Sequence, residues 1–516
     1  MPPRFNNFVA RNWRGEYSLA RSYWLFGLLG GLAIDLFAFI LADWNSETYH
    51  PQTIFAGLLL SWLFIAAITV WRLVGVWRSA SRHIKTRRLI GKRSPWAHTA
   101  KVAVCLGTLR LATDFVNSGA PQLWEMVQTS FLGDPDIPAY AMRIMRDGAE
   151  AEIAGGFKYG LTNEFQKLLN ASGKLKVVHL DSPGGRMGEA IALNHVIRAN
   201  GLDTYVSSKC MSACTIAFAG GKHRILRKGA VLGFHAGSFP GMTKEDLAAH
   251  LKAQKSILLE AGFERKFINQ ALSTPSSELW VPAEPVLLEA RAITAVSDGD
   301  DFALSGVGVS PTKADLGAIL SNGVALMEPL KTRFPSSYDL IAQAYFDGFQ
   351  SGKTEVESTA AARAVLQSTL ERLKPLADDD VLADLGAVFS DQFRALGAKS
   401  AALCYQYASG AADTIAISEL PAALIERENE LNKRVVETAA SRAPANEALK
   451  DVWTKVTTAL ASHGITEAQL ELLDARSVPA DKYGDYCAAA TTLFGEISRL
   501  PPGEAGAIMR DILAEK

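Results

Sequence analysis

Apolar positions are concentrated near the start of this chain. Tyr23–Ala42 reads YWLFGLLGGLAIDLFAFILA, broken only by Asp35, and Ile54–Trp71 reads IFAGLLLSWLFIAAITVW without a charge. Each run approaches the about 20 residues that an α-helix needs to cross roughly 30 Å of hydrocarbon. Residues 23–42 and 54–71 are therefore read as transmembrane helices. Two spans joined by a short polar loop differ from a cleaved leader, which has one shorter apolar core and a small-residue cleavage site. A third run, Thr99–Val116, carries Lys101, Arg110 and Asp114. Two readings of 99–116 stay open: a third span, or an amphipathic helix on the membrane surface.

Beyond the apolar segment the texture changes. Over 140–298, short β-type runs alternate with helical ones, the pattern of an α/β domain. Glu152–Gly156 reads as a strand ending in glycines and Leu161–Asn170 as a helix. Lys174–Leu180 is a buried strand that stops at Asp181-Ser182-Pro183-Gly184-Gly185, followed by a helix over Met187–Ala199. Thr204–Ser207 and Ala230–Gly237 read as strands, with a small apolar helix, Thr215–Gly220, between them. The Gly-, Ser- and Asp-rich stretch 299–310 reads as a linker. From 311 to 516 helical periodicity runs almost throughout, clearest in Leu366–Lys374, Val381–Leu396, Ala422–Thr438, Glu447–Leu460 and Tyr486–Leu500, with breaks at Pro335, Pro375, Pro421, Pro444 and Pro501. This predicts an all-α C-terminal domain.

Charge adds an orientation. Residues 1–22 carry Arg4, Arg11, Arg14 and Arg21 against Glu16, the loop 43–52 carries Asp43 and Glu47 with no Lys or Arg, and 72–98 carries eight Lys and Arg residues with no acid. The positive-inside bias places 1–22 and 72–98 in the cytoplasm. Asp35 is read as a polar helix–helix contact. Over the whole chain, 53 Lys and Arg stand against 54 Asp and Glu, a net charge of −1, which argues against a nucleic-acid surface. A hydrophobic share of 48% excludes global disorder, and the mean hydropathy of +0.07 fits a chain that is partly membrane-embedded.

The candidate chemistry lies in the α/β region. Ser212 opens a small apolar helix, where a hydroxyl sits near free N–H groups and the positive end of the helix dipole. His235 ends a short strand, and Gly184-Gly185 leaves backbone N–H groups on a turn at a strand's end. Singly, each is ordinary: a helix-start Ser is usually an N-cap, and a His after a strand is usually structural. The ordered set is more specific. Strand-Ser-Pro-Gly-Gly-helix, strand-x-Ser-helix and strand-His within about 55 residues resembles the ClpP/crotonase superfamily, in particular its Clp-protease-like and signal-peptide-peptidase-like membrane serine peptidases.

This resemblance implies a ββα-spiral α/β domain that hydrolyses peptide bonds. It assigns the nucleophile to Ser212, the general base to His235, 23 residues on, and the oxyanion donors to the N–H groups of Gly184 and Ala213, with Gly185 beside them. It places the acid at Glu278, with Asp298 as its rival. It implies a peptide or protein substrate, no metal or organic cofactor, and assembly of like subunits. The alternatives are a catalytically inactive scaffold, which a doubtful acid favours, and a crotonase-type acyl-CoA enzyme, which would not need the Ser/His pair. Lys209 is read as solvent-facing, His179 as a satisfied core residue and His195 as an ordinary helical residue.

Of five cysteines, none shows zinc-type spacing. Cys210 and Cys214 are read as small packing residues, because a four-residue bridge at a helix start is geometrically demanding. Cys404 and Cys487 form a candidate disulfide, whose presence would support an oxidising compartment. The resulting expectation is an integral protein of a bacterial inner membrane, with the α/β and helical domains on the periplasmic side.

Overall fold

A computed structural model describes residues 8–45, 51–237, 244–322, 324–409, 418–440, 449–475 and 477–514. The first seven residues, half of the acidic loop 43–52 and Pro444 lie outside the described residues. The chain divides into two compact units, one formed by Met1–Asp298 with Ser305–Val309, the other by Gly299–Leu304 with Ser310–Lys516.

The first unit begins with helices. α1 (Phe8–Trp13) precedes α2 (Phe26–Asn45), α3 (Pro51–Leu89), α4 (Pro95–Asp114) and α5 (Ala120–Phe131), the last two joined by the π-helical turn Phe115–Gly119. α3 is long and apolar enough to cross a membrane. Its 39 residues extend over about 58 Å, well beyond one bilayer core. Aromatic pairs fix the register. Phe37 stacks on Phe64 and Phe26 packs on Trp71, whereas Trp62 meets Phe115, Lys101 lies over Trp77, and Phe55 meets Phe131. α4 and α5 thus run antiparallel to α3 along its length. Exposed Leu28, Leu32 and Leu36 of α2, Leu60 and Leu63 of α3, and Val102, Leu106 and Leu109 of α4 form an apolar outer surface.

After α5 comes a six-stranded sheet of order β1-β2-β3-β4-β6-β8. β1 (Tyr140–Met145) and β2 (Glu150–Gly155) are antiparallel. β3 (Val177–Asp181), β4 (Asp203–Val206), β6 (Arg224–Arg227) and β8 (Ala295–Ser297) continue in parallel from β2. The crossovers are α6 (Leu161–Ser172), α7 (Met187–Ala199), α8 (Ala213–Phe218) and the set α9 (Lys244–Glu260), α10 (Arg265–Ser273) and α11 (Glu284–Glu289). A second, two-stranded sheet pairs β5 (Lys209–Met211) with β7 (Val231–Gly233) in parallel. Phe165, Leu180, Leu193, Ile197, Phe218, Leu226 and Phe267 fill the core between sheet and helices. α6 lacks its own side-chain cap. Glu189 of α7 supplies one by accepting from the N–H groups of Gly160 and Thr162, at 3.0 and 2.9 Å.

The stretch read as a linker is instead divided between the two units. Its Ser305–Val309 part is fastened to the α/β sheet by buried side chains. Ser305 Oγ bonds His179 Nδ1 (2.7 Å), the Gly306 N–H donates to Glu152 Oε1 (2.7 Å), and the Gly308 N–H donates to Asp181 Oδ2 (3.2 Å). Composition marked this segment as polar and glycine-rich but could not show which acceptors await it.

The described part of the second unit is helical. Three of its helices begin with reciprocal capping boxes, Thr312/Asp315, Thr354/Glu357 and Thr466/Gln469. Prolines open helices here as well as interrupt them: Pro335 begins Pro335–Gln350 and Pro502 begins Pro502–Ala514. Cys404 and Cys487 are joined as a disulfide, with Cα atoms 6.1 Å apart, inside a core of Phe393, Leu396, Leu420 and Tyr486.

Candidate active site

β3 runs one residue beyond its ladder and meets β5. The Ser182 N–H donates to the Lys209 carbonyl (3.0 Å) and the Met211 N–H to the Ser182 carbonyl (2.9 Å), so the Ser-Pro-Gly-Gly turn lies against the segment leading into α8. At the junction of β5 and α8, Ser212 has φ 55° and ψ −127°. This left-handed backbone is costly for a residue with a Cβ, by about 1–2 kcal/mol, and it is held by tertiary bonds. Chief among them, the Ser212 N–H donates to the Gly233 carbonyl at 2.8 Å. Gly233 precedes His235 by two residues, so Ser212 and His235 are on hydrogen-bonded, adjoining segments. Both side chains are half-buried.

Gly184 faces Ser212. With φ 101°, a side chain here would be strained, and its Cβ would fall 2.8 Å from Ser212 Cβ and 3.1 Å from the Ala213 N. The Met211 carbonyl oxygen would lie 2.8 Å from it as well, so the turn and the start of α8 are in a close approach that only a glycine allows. Gly185, with φ 147°, allows its neighbour Phe157 to pair with the turn: the Phe157 N–H donates to the Gly184 carbonyl (2.8 Å) and the Arg186 N–H to the Phe157 carbonyl (2.7 Å). The Gly184 N–H itself donates to Ser182 Oγ at 3.0 Å.

His235 Nδ1 lies 2.9 Å from the Ala236 carbonyl oxygen. A carbonyl only accepts, so this contact puts the proton on Nδ1 and leaves the Nε2 lone pair free. Glu278 and Asp298 are both exposed, and among the described residues neither is hydrogen-bonded to His235. Trp280, two residues after Glu278, pairs with Phe234 next to His235, but the Glu278 side chain is exposed. Lys209 and His195 are exposed too. His179 is buried between Glu150 and Ser305 and packs on Tyr205.

Cys210 and Cys214 do not simply pack: they form a disulfide with Cα atoms 5.3 Å apart. The reason is the left-handed turn at Ser212, which brings the strand residue and the first helical turn to bridging distance. Arg186, directly after the Gly184–Gly185 turn, carries no sequence signal, since its carboxylate partners, Glu125 and Asp134, lie more than fifty residues away.

No family model matches this chain, and no curated protein does. Solved structures with local similarity include a variant of the 1510-N membrane-bound stomatin-specific protease, at 15% identity and a TM-score of 0.24 over 28% of this chain and 77% of that one. ClpP1 from Listeria monocytogenes is 12% identical, with a TM-score of 0.27 over 30% of this chain and 94% of that one; a substituted form of it gives 0.26.

Proposed function

We propose that this chain is a membrane-anchored serine peptidase whose nucleophile is Ser212 and whose base is His235. The observation that carries the reading is the left-handed Ser212 at the start of α8, held against the Gly184–Gly185 turn and hydrogen-bonded to the strand that leads into His235. In this mechanism His235 Nε2 takes the Ser212 proton as Oγ bonds to the substrate carbonyl carbon. The resulting oxyanion accepts from the Ala213 N–H at the start of α8, and from the Gly184 N–H once that group exchanges the Ser182 hydroxyl for it. Collapse breaks the C–N bond while the imidazolium gives its proton to the departing amine. Water, deprotonated by the same imidazole, then hydrolyses the acyl-enzyme. The Ala236 carbonyl does the orienting that an acid does in a triad, by holding the tautomer.

The three apolar helical stretches lie side by side at one level, which supports reading α4 with its π-helical turn as a third span. The chain then returns at Phe131 to the level of Phe55, at the end of α3 beside the acidic loop. On this topology both globular units lie across the membrane from the basic segment 72–98. Two disulfides, Cys210–Cys214 and Cys404–Cys487, suit an oxidising compartment there. The scaffold reading draws on the occupied Gly184 N–H and on a His235 that has no carboxylate partner among the described residues.

The test is incubation of the detergent-solubilised chain with a mixed peptide library, followed by mass spectrometry of new termini. Cleavage by the parent and none by Ser212→Ala supports the reading. Equal product from both overturns it.

A further inference from the structure

The Gly184–Gly185 turn is made of two residues with little conformational preference of their own, so something must hold it. Ser182 is fastened to β5 at one end. The other end is Arg186, whose guanidinium is clamped by two carboxylates. Its Nε donates to Asp134 Oδ2 at 2.8 Å, a second N–H donates to Asp134 Oδ1, and a third donates to Glu125 Oε1. All three side chains are mostly buried, with exposures of 13% for Arg186, 4% for Asp134 and 15% for Glu125. Glu125 belongs to α5, and Asp134 lies in the turn that leaves α5, with φ 59°. Lys158 Nζ reinforces the arrangement by donating to the Gly133 carbonyl (2.9 Å), and Ile137 packs under Gly156.

We infer that Arg186 is a positioning residue: it ties the oxyanion turn to the last helix of the membrane hairpin and so sets where the Gly184 N–H lies relative to Ser212. A forked guanidinium suits this role because bidentate pairing with Asp134 fixes direction as well as distance, which a lysine cannot do. Loss of the arginine releases the oxyanion turn from α5 and leaves Glu125 and Asp134 buried beside each other without a countercharge, which loosens the end of α5 as well. A displacement of about 1 Å at an oxyanion donor is enough to reduce catalysis strongly. This inference rests on the reading of Ser212 as nucleophile only for its catalytic half.

The experiment compares the full-length parent with Arg186→Ala, Arg186→Lys and Glu125→Gln in detergent. Amide hydrogen exchange of the peptide covering Gly184–Met187 is measured beside peptides from α6 and β4, together with the concentration dependence of fluorophosphonate acylation. Expected for Arg186→Ala is exchange about tenfold or more faster in the turn alone. The saturating acylation rate falls about tenfold, the half-saturating probe concentration stays within about twofold, and Arg186→Lys and Glu125→Gln fall between. Unchanged exchange in the turn overturns the inference, as does acceleration spread evenly over α6 and β4, which a merely structural role would give. Faster exchange confined to the turn, in a chain whose parent never acylates, upholds the tether and sinks the catalytic reading of Ser212.

Discussion

Ser212 keeps its left-handed backbone because three neighbours impose it: the Gly233 carbonyl bonds its N–H, Gly184 yields the space its side chain needs, and Cys210 and Cys214 are joined across it. His235 has a carbonyl rather than a carboxylate on Nδ1. It follows that Glu278→Gln and Asp298→Asn should each change the fluorophosphonate acylation rate by less than about threefold, whereas His235→Ala should cost about a thousandfold or more. A fall of more than about thirtyfold in either acid variant would restore that acid to the site. Asp181, immediately before the turn, has its carboxyl pushed up by burial first and by the nearby Glu152 charge second. With its folded value above the ordinary one, Asp181 favours folding below that ordinary value and opposes it increasingly as pH rises through the folded value. Asp181→Asn keeps an acceptor for the Gly308 N–H, so its gain in Tm over the parent should be larger at pH 8 than at pH 4. Thermal scans at the two pH values check the sign.

Elements with strong internal periodicity were legible in the sequence. The helix Met187–Ala199 has the expected limits, Ala422–Thr438 likewise, and β3 stops where Asp181-Ser182-Pro183 stops it. Elements made only by tertiary pairing were not. β5 and β7 have three residues each and acquire strand geometry from one another and from Ser182. The Cys210–Cys214 bridge depends on a backbone reversal at Ser212 that spacing alone does not reveal. The strapping of Ser305–Val309 and the Arg186 clamp both join residues far apart in the chain. The two disulfides should act differently when removed. Closing an 83-residue separation stabilises by about 4–5 kcal/mol in the chain-entropy description, and a four-residue one by about 2 kcal/mol. Cys404→Ala with Cys487→Ala should therefore unfold the helical unit at markedly lower denaturant while leaving Ser212 acylation intact. Cys210→Ala with Cys214→Ala should do the reverse, and equal effects on both readouts would contradict this division.

The whole molecule joins a helical hairpin bearing an apolar belt to a sheet that carries the candidate nucleophile, and α5 connects the two within one unit. If both globular units lie in an oxidising compartment, protein alkylated directly from cells should carry one label, at Cys105, and five only after reduction. Five labels before reduction would place those units in the cytoplasm. The central claim, an activated serine beside the Gly184–Gly185 turn, is tested most directly by treating the solubilised full-length protein with a fluorophosphonate and mapping the adduct by peptide mass. The account predicts a single adduct on Ser212, absent from Ser212→Ala and from His235→Ala. An unlabelled parent, or an adduct that persists in Ser212→Ala, would contradict it.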